Sequence, residues 1–178
     1  MSEGAPHAGT RLPYTGQPPA APGLVLTGLA AYTQTTLKLI TSAHLQLRVF
    51  SQELDRRVWN DPGIVELLRS FALRSPRAEL RVLVNRPQAA AQRGHRLVEL
   101  ARRLPSRIRL RELLEERRAM AEEYAIADEY ALLHKRRHDD LDAVWHTHAP
   151  LEAREQRRRF DLLWEESPPA RELGELRL

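Results

Sequence analysis

Ser51, Gln52, Asn85, Asp128 and His134 are the residues of this chain whose types and positions best suit the recognition of a ligand. Ser51, Gln52 and Asn85 each follow a short apolar run. Hydroxyl and amide groups at the C-terminal ends of strands are well placed to orient a small molecule by hydrogen bonds. Asp128 lies in an acidic turn between two apolar runs, and His134 ends the second of them. His134 and Lys135, with Asp139 and Asp140 close behind, are the types that attack and neutralise a phosphodiester. Neighbouring residues of a strand point to opposite faces, however, so these two cannot converge on one phosphorus without a bend. A solvated turn is the expected reading there. His138, Asp139, Asp142, His146 and His148 form the densest group of metal-ligand types. Imidazole and carboxylate suit zinc, but the spacing fits no standard zinc pattern, so a polar loop is expected and neither a metal nor a cofactor. Trp59, Trp145 and Trp164 could stack on bases. Trp164 belongs to an apolar helical face and reads as core.

The elements that must carry these residues follow from periodicity. Leu29 to Ala43 suits a helix, and His44 to Phe50 alternates as a strand with Leu45, Leu47 and Val49 on one face. Asp61-Pro62 is a helix start, a capping carboxylate followed by proline at the first helical position. The stripe Ile64, Leu67, Leu68, Phe71, Ala72 then runs to a stop before Pro76. Leu80 to Val84 is a strand. A second amphipathic helix is predicted from about Ala89 to Leu104, with Gly94-His95 inside it or capping it. Ile108 to Leu110 is a short strand, and the charged stretch from Glu112 to Met120 fits helix or loop. Two strands meet at Asp128, a polar loop follows, and a last helix spans about Leu151 to Glu166, with Phe160, Leu163 and Trp164 on its apolar face. Strands separated by helices imply crossovers and a mostly parallel sheet flanked by helices on both faces, an α/β fold.

Residues 1–23 hold five of the twelve prolines and should form a disordered Pro/Gly-rich tail, leaving 24–178 as a single domain. The chain has no cysteine, no visible signal peptide and no apolar run long enough to span a membrane, so a cytoplasmic location is expected. The net charge is +4, carried almost wholly by arginine; lysine occurs only at positions 38 and 135. Arginine forks pair well with phosphate, which keeps nucleic acid open as a partner. The basic residues alternate with acids, as in Glu115-Glu116-Arg117-Arg118, a pattern typical of a solvated surface.

The strand pair around Asp128 resembles the signature of the phospholipase D-like fold, in which one strand carries H-x-K-x-x-x-x-D and a second returns from the aspartate. Three further pieces are similar to one half of such a protein: Leu37 to Asp55, Ala78 to Val84, and Phe160 to Trp164 with its F-x-x-x-W spacing. The resemblance implies that fold over about Leu29 to Glu166. It puts Asp128 at the aspartate, Ala121 where the nucleophilic histidine belongs and Glu123 where the phosphate-holding lysine belongs. Alanine cannot attack, glutamate would repel a phosphodiester, and Lys135-Arg136 stands where the family has G-S-x-N. The expectation is therefore a non-catalytic module that binds a ligand or a protein, dimeric through the face that builds the active site in enzymatic relatives. The alternatives are a divergent phosphodiesterase or nuclease, and arginine-mediated nucleic-acid binding.

Overall fold

The computed structural model describes residues 22–91, 94–170 and 173, so all but the last two residues of the 1–23 segment lie outside the described residues. In chain order the elements are β1 (Leu24–Thr27), α1 (Leu29–Ser42), β2 (Gln46–Ser51), α2 (Arg56–Trp59), α3 (Pro62–Arg74), β3 (Glu79–Val84), α4 (Gln88–Ala91), α5 (Arg96–Arg103), β4 (Ile108–Glu112), β5 (Glu123–Ala127), β6 (Ala131–Lys135), β7 (Asp142–His146) and α6 (Pro150–Glu166). The strands form one sheet in the order β1-β7-β6-β5-β2-β3-β4.

The sheet is mixed rather than mostly parallel. The helical crossovers do make β2, β3 and β4 parallel, with Val49 beside Val82 and Val82 beside Leu110. From β5 onward the connections are too short for crossovers, and short connections join antiparallel neighbours. Thus β6 runs antiparallel to β5 and β7 to β6; the non-sequential pairs, β5 with β2 and β1 with β7, are antiparallel as well. Two of these strands were not expected from the sequence. In β7, Ala143 and Trp145 point inward and Asp142 outward, an alternation hidden by its polar residue types. β1 is an edge strand whose Leu24 and Val25 are exposed, and only Leu26 packs toward the core, so no alternation marks it.

The two faces of the sheet are covered differently. The helices from α1 to α5 pack on one face over Leu39, Ile40, Val49, Ile64, Phe71, Leu80 and Val82. The α3 start forms as its sequence requires: the Asp61 side chain accepts from the backbone N–H groups of Gly63 and Ile64. The predicted 89–104 helix is split into α4 and α5. Gly94 sits between them at φ 79°, a left-handed conformation that glycine adopts without strain. α6 covers the other face, where Phe160 and Trp164 pack with Phe50, Leu83, Tyr124 and Ile126 and are joined by Leu113 and Met120. The buried Arg48 on that face is held by Asp161 of α6 at 2.9 Å.

Candidate functional site

A strand hairpin sets the site. The turn at Asp128 makes Ala127 face Ala131, so four residues farther out Glu123 faces Lys135 across β5 and β6. Directly opposed residues share a face of the sheet. Glu123 and Lys135 therefore both point to the α1 face, at the edge where β2, β3 and β6 end. Their strand neighbours His134 and Tyr124 point to the α6 face.

Glu123 is only 8% exposed. Its Oε1 accepts a hydrogen bond from the Ser51 hydroxyl at 2.7 Å and another from the Gln52 backbone N–H at 2.8 Å. Gln52 is tied in turn: its Oε1 accepts from Asn85 Nδ2 at 2.6 Å, and its Nε2 donates to the Met120 and Glu122 carbonyls. Burial raises the Glu123 carboxyl pKa, although the bonds from Gln52 and Ser51 and the charge of Lys135 act in the opposite direction.

Two adjoining cavities open above this carboxylate, of about 420 and 270 Å³, and both are lined by Asp55, Arg57, Glu123, His138 and Asp139. The smaller adds Tyr32, Trp59 and Lys135. Lys135 extends over the Tyr32 ring, its Nζ 4.6 Å from the centroid, and donates to the Asp140 carbonyl. Asp55 caps α2 and is chelated by Arg57, whose contacts outweigh burial and hold its carboxyl below the ordinary range. A larger cavity of about 550 Å³ lies beside β4, but no acid or histidine lines it. The chemistry is concentrated at Glu123.

The five residues singled out from the sequence fall into three places. Ser51, Gln52 and Asn85 come together as the buried polar network beneath Glu123. Asp128 stands at the far end of β5, roughly 17 Å away along the strand at about 3.4 Å per residue. There it accepts from the backbone N–H groups of His44, Leu45 and Gln46, which opens β2. His134 lies across the sheet against Glu122, at 3.0 Å. Burial disfavours ionisation of Glu122, but the His134 hydrogen bond and the charge of Arg159 outweigh it and lower the carboxyl pKa.

His138 reaches the cleft, whereas Asp142 and His146 belong to β7. No group of three or more His, Cys, Asp or Glu that could hold a metal occurs among the described residues. Trp164 is core, as expected, and Trp145 is also buried; Trp59 lines the cleft. Tyr32, Asp55 and Arg57 were not singled out from the sequence. Asp55 was legible as a helix cap, and Tyr32 only as one residue of an amphipathic face.

Glu123 gives a direct test of what burial costs. Glu123→Gln keeps the acceptor for Ser51 and Gln52 and removes the charge. A carboxyl with a raised folded-state pKa binds its proton more tightly in the folded chain than in the unfolded one. Stability therefore falls as pH rises from the ordinary carboxyl value through the folded one. The variant should melt higher than the parent at pH 8, with the difference shrinking toward pH 4. Thermal melts across that range would refute the account if the variant melted lower at pH 8.

The fold is shared with solved structures. NucT from Helicobacter pylori aligns with a TM-score of 0.64 at 10% identity over 83% of this chain and 98% of that one. Nuc from Salmonella typhimurium, a phospholipase D family member, gives 0.58 at 15% identity over 83% and 97%. The archaeal chromatin protein TrmBL2, described as showing a novel mode of DNA binding, gives 0.63 at 14% identity over 90% of this chain; the chain spans 57% of that protein. No curated protein matches in sequence. The fold is thus α/β and phospholipase D-like, as the sequence resemblance implied. The family model described as a domain of unknown function, DUF7931, matches residues 29–176, and the chain belongs to that family.

Proposed function

We propose that this phospholipase D-like domain binds a small ligand in the cleft above Glu123 and does not hydrolyse phosphodiesters. One observation carries the reading. At the position where the family resemblance expects a phosphate-holding lysine, a carboxylate is built in and fixed by Ser51 and Gln52. Ala121, at the nucleophile position, has no group that can attack. The domain of 24–178 is the binding unit, and the 1–23 segment a tail to it. No helix among the described residues is long and apolar enough to cross a membrane.

The test is hydrolysis of bis-p-nitrophenyl phosphate. No turnover above background is expected. Turnover that disappears in Lys135→Ala or His138→Ala would overturn the reading and replace it with a phosphodiesterase whose groups come from the strand and loop after Asp128. Homodimerisation through the cleft face belongs to the same proposal, and light scattering at high concentration tests it; a monomer counts against it.

Nucleic-acid binding is a second reading, favoured by the DNA-binding structural neighbour. Against it, arginines pair with acids across the surface, as Arg86 does with Glu53, Arg117 with Glu166, and Arg118 with Glu112. Titration of a labelled duplex at low salt decides it, since phosphate contacts are strongest there.

A further inference from the structure

We infer that the cleft takes a ligand bearing an organic cation, a primary ammonium or a guanidinium, and that Glu123 is its anchor. The inference rests on the ligand-binding reading above and adds the chemical class.

A carboxylate more than nine-tenths buried is costly unless a counter-charge reaches it. Ser51 and Gln52 supply neutral donors, and both use Oε1. Glu123 makes no salt bridge within 4.0 Å among the described residues. The other acids at the cleft are already engaged. Arg57 pairs with Asp55 at 2.6 Å, Arg86 with Glu53 at 3.0 Å, and Arg137 with Asp139 at 3.1 Å, while Asp140 accepts the Arg137 backbone N–H. Among the described residues, Glu123 is the buried acid, without an ion-pair partner, that lines both cavities; Asp140, also without an ion pair, lines the smaller one alone.

The cleft wall is also suited to a cation. The Tyr32 ring already receives an ammonium, that of Lys135, with Nζ 4.6 Å from the centroid, the geometry of a cation–π contact. Lys135 is thus an internal guest beside the site. Its ammonium attracts Glu123 and would repel a second cation brought to the same carboxylate. An anionic ligand finds less to hold it. Arg57 is committed to Asp55, Lys135 to Tyr32 and the Asp140 carbonyl, and Arg56 donates to the Gly94 carbonyl.

Isothermal titration of the full chain with agmatine, which carries both cationic groups, tests the inference. Inorganic phosphate and dimethyl phosphate serve as anionic probes. Agmatine should bind, at least tenfold more weakly to Glu123→Gln and several-fold more tightly to Lys135→Ala. Glu123→Gln is expected to fold, so loss of binding there is not loss of structure; a cooperative melt checks this. Unchanged agmatine affinity in Glu123→Gln overturns the inference. Binding of a phosphate probe instead, lost in Lys135→Ala, also overturns it while leaving a ligand site. Silence with every probe removes both the inference and the ligand-binding reading beneath it.

Discussion

Trp164→Ala should cost about 3–5 kcal/mol of stability, the range for removing a large buried aromatic side chain. Trp164 lies on the buried face of α6, stacks on Phe160 with ring centroids 5.8 Å apart, and lies under the guanidinium of Arg111 at 4.7 Å. Arg111 also donates to the Trp164 carbonyl. α6 supplies Ala153, Phe160 and Trp164 to the cluster with Phe50, Tyr124 and Leu83, and only Leu113 and Met120 join it from the segment after β4, so little else covers those residues when the anchor is lost. Against a typical total of about 5–15 kcal/mol, such a loss leaves a marginal fold. Trp164→Phe should retain more than half of the stability lost in the alanine variant. Urea denaturation measures both, and a shift below about 1 kcal/mol for Trp164→Ala would contradict the packing described.

Asp128→Ala should lower stability by about 2–3 kcal/mol, more than an ordinary helix cap, which is worth about 0.5–2 kcal/mol. One carboxylate accepts three consecutive backbone N–H groups, at 2.8, 2.9 and 2.9 Å. Charge-assisted bonds of this kind are stronger than neutral ones. Asp128 also holds φ at 53°, where aspartate and asparagine are tolerated better than alanine. Asp128→Asn should therefore lose about half as much. Neither variant should change agmatine affinity when measured where both remain folded, because the turn is at the far end of β5. An affinity change with no loss of stability would return Asp128 to the binding site.

The fold was legible wherever a buried face imposed a period. α1, α3 and α6 announce themselves by apolar stripes that include Ile40, Phe71 and Trp164 respectively, and β2 and β3 by apolar runs. β7 was not legible, because Asp142, His146 and the neighbouring histidines suggested a loop while only Ala143 and Trp145 carried the alternation. β1 offered a single inward residue, Leu26, too little to mark a face. The direction of the later strands depends on connection length, and the short turns at Asp128 and after Lys135 already excluded a crossover. At the site, Ser51, Gln52 and Asn85 were found because strand ends collect functional side chains. The pairing of Glu123 with Lys135 required knowing where the hairpin closes. The contact of Lys135 with Tyr32 joins residues a hundred positions apart, and no local pattern encodes it.

The two borders of the sheet have different prospects for meeting another chain. Along β4, the stretch after α6 returns antiparallel, with Arg111 bridged to Pro169, Glu112 donating to the Pro168 carbonyl and Ala170 donating to that of Leu110. The outer row of β4 hydrogen-bonding groups is thereby partly used, and the prolines offer no N–H to a newcomer. β1 has no strand on its outer side among the described residues, and it carries exposed Leu24 and Val25. Among the described residues the sheet border is therefore polarised: β1 leaves its outer hydrogen-bonding row open over four residues, whereas that of β4 is partly closed.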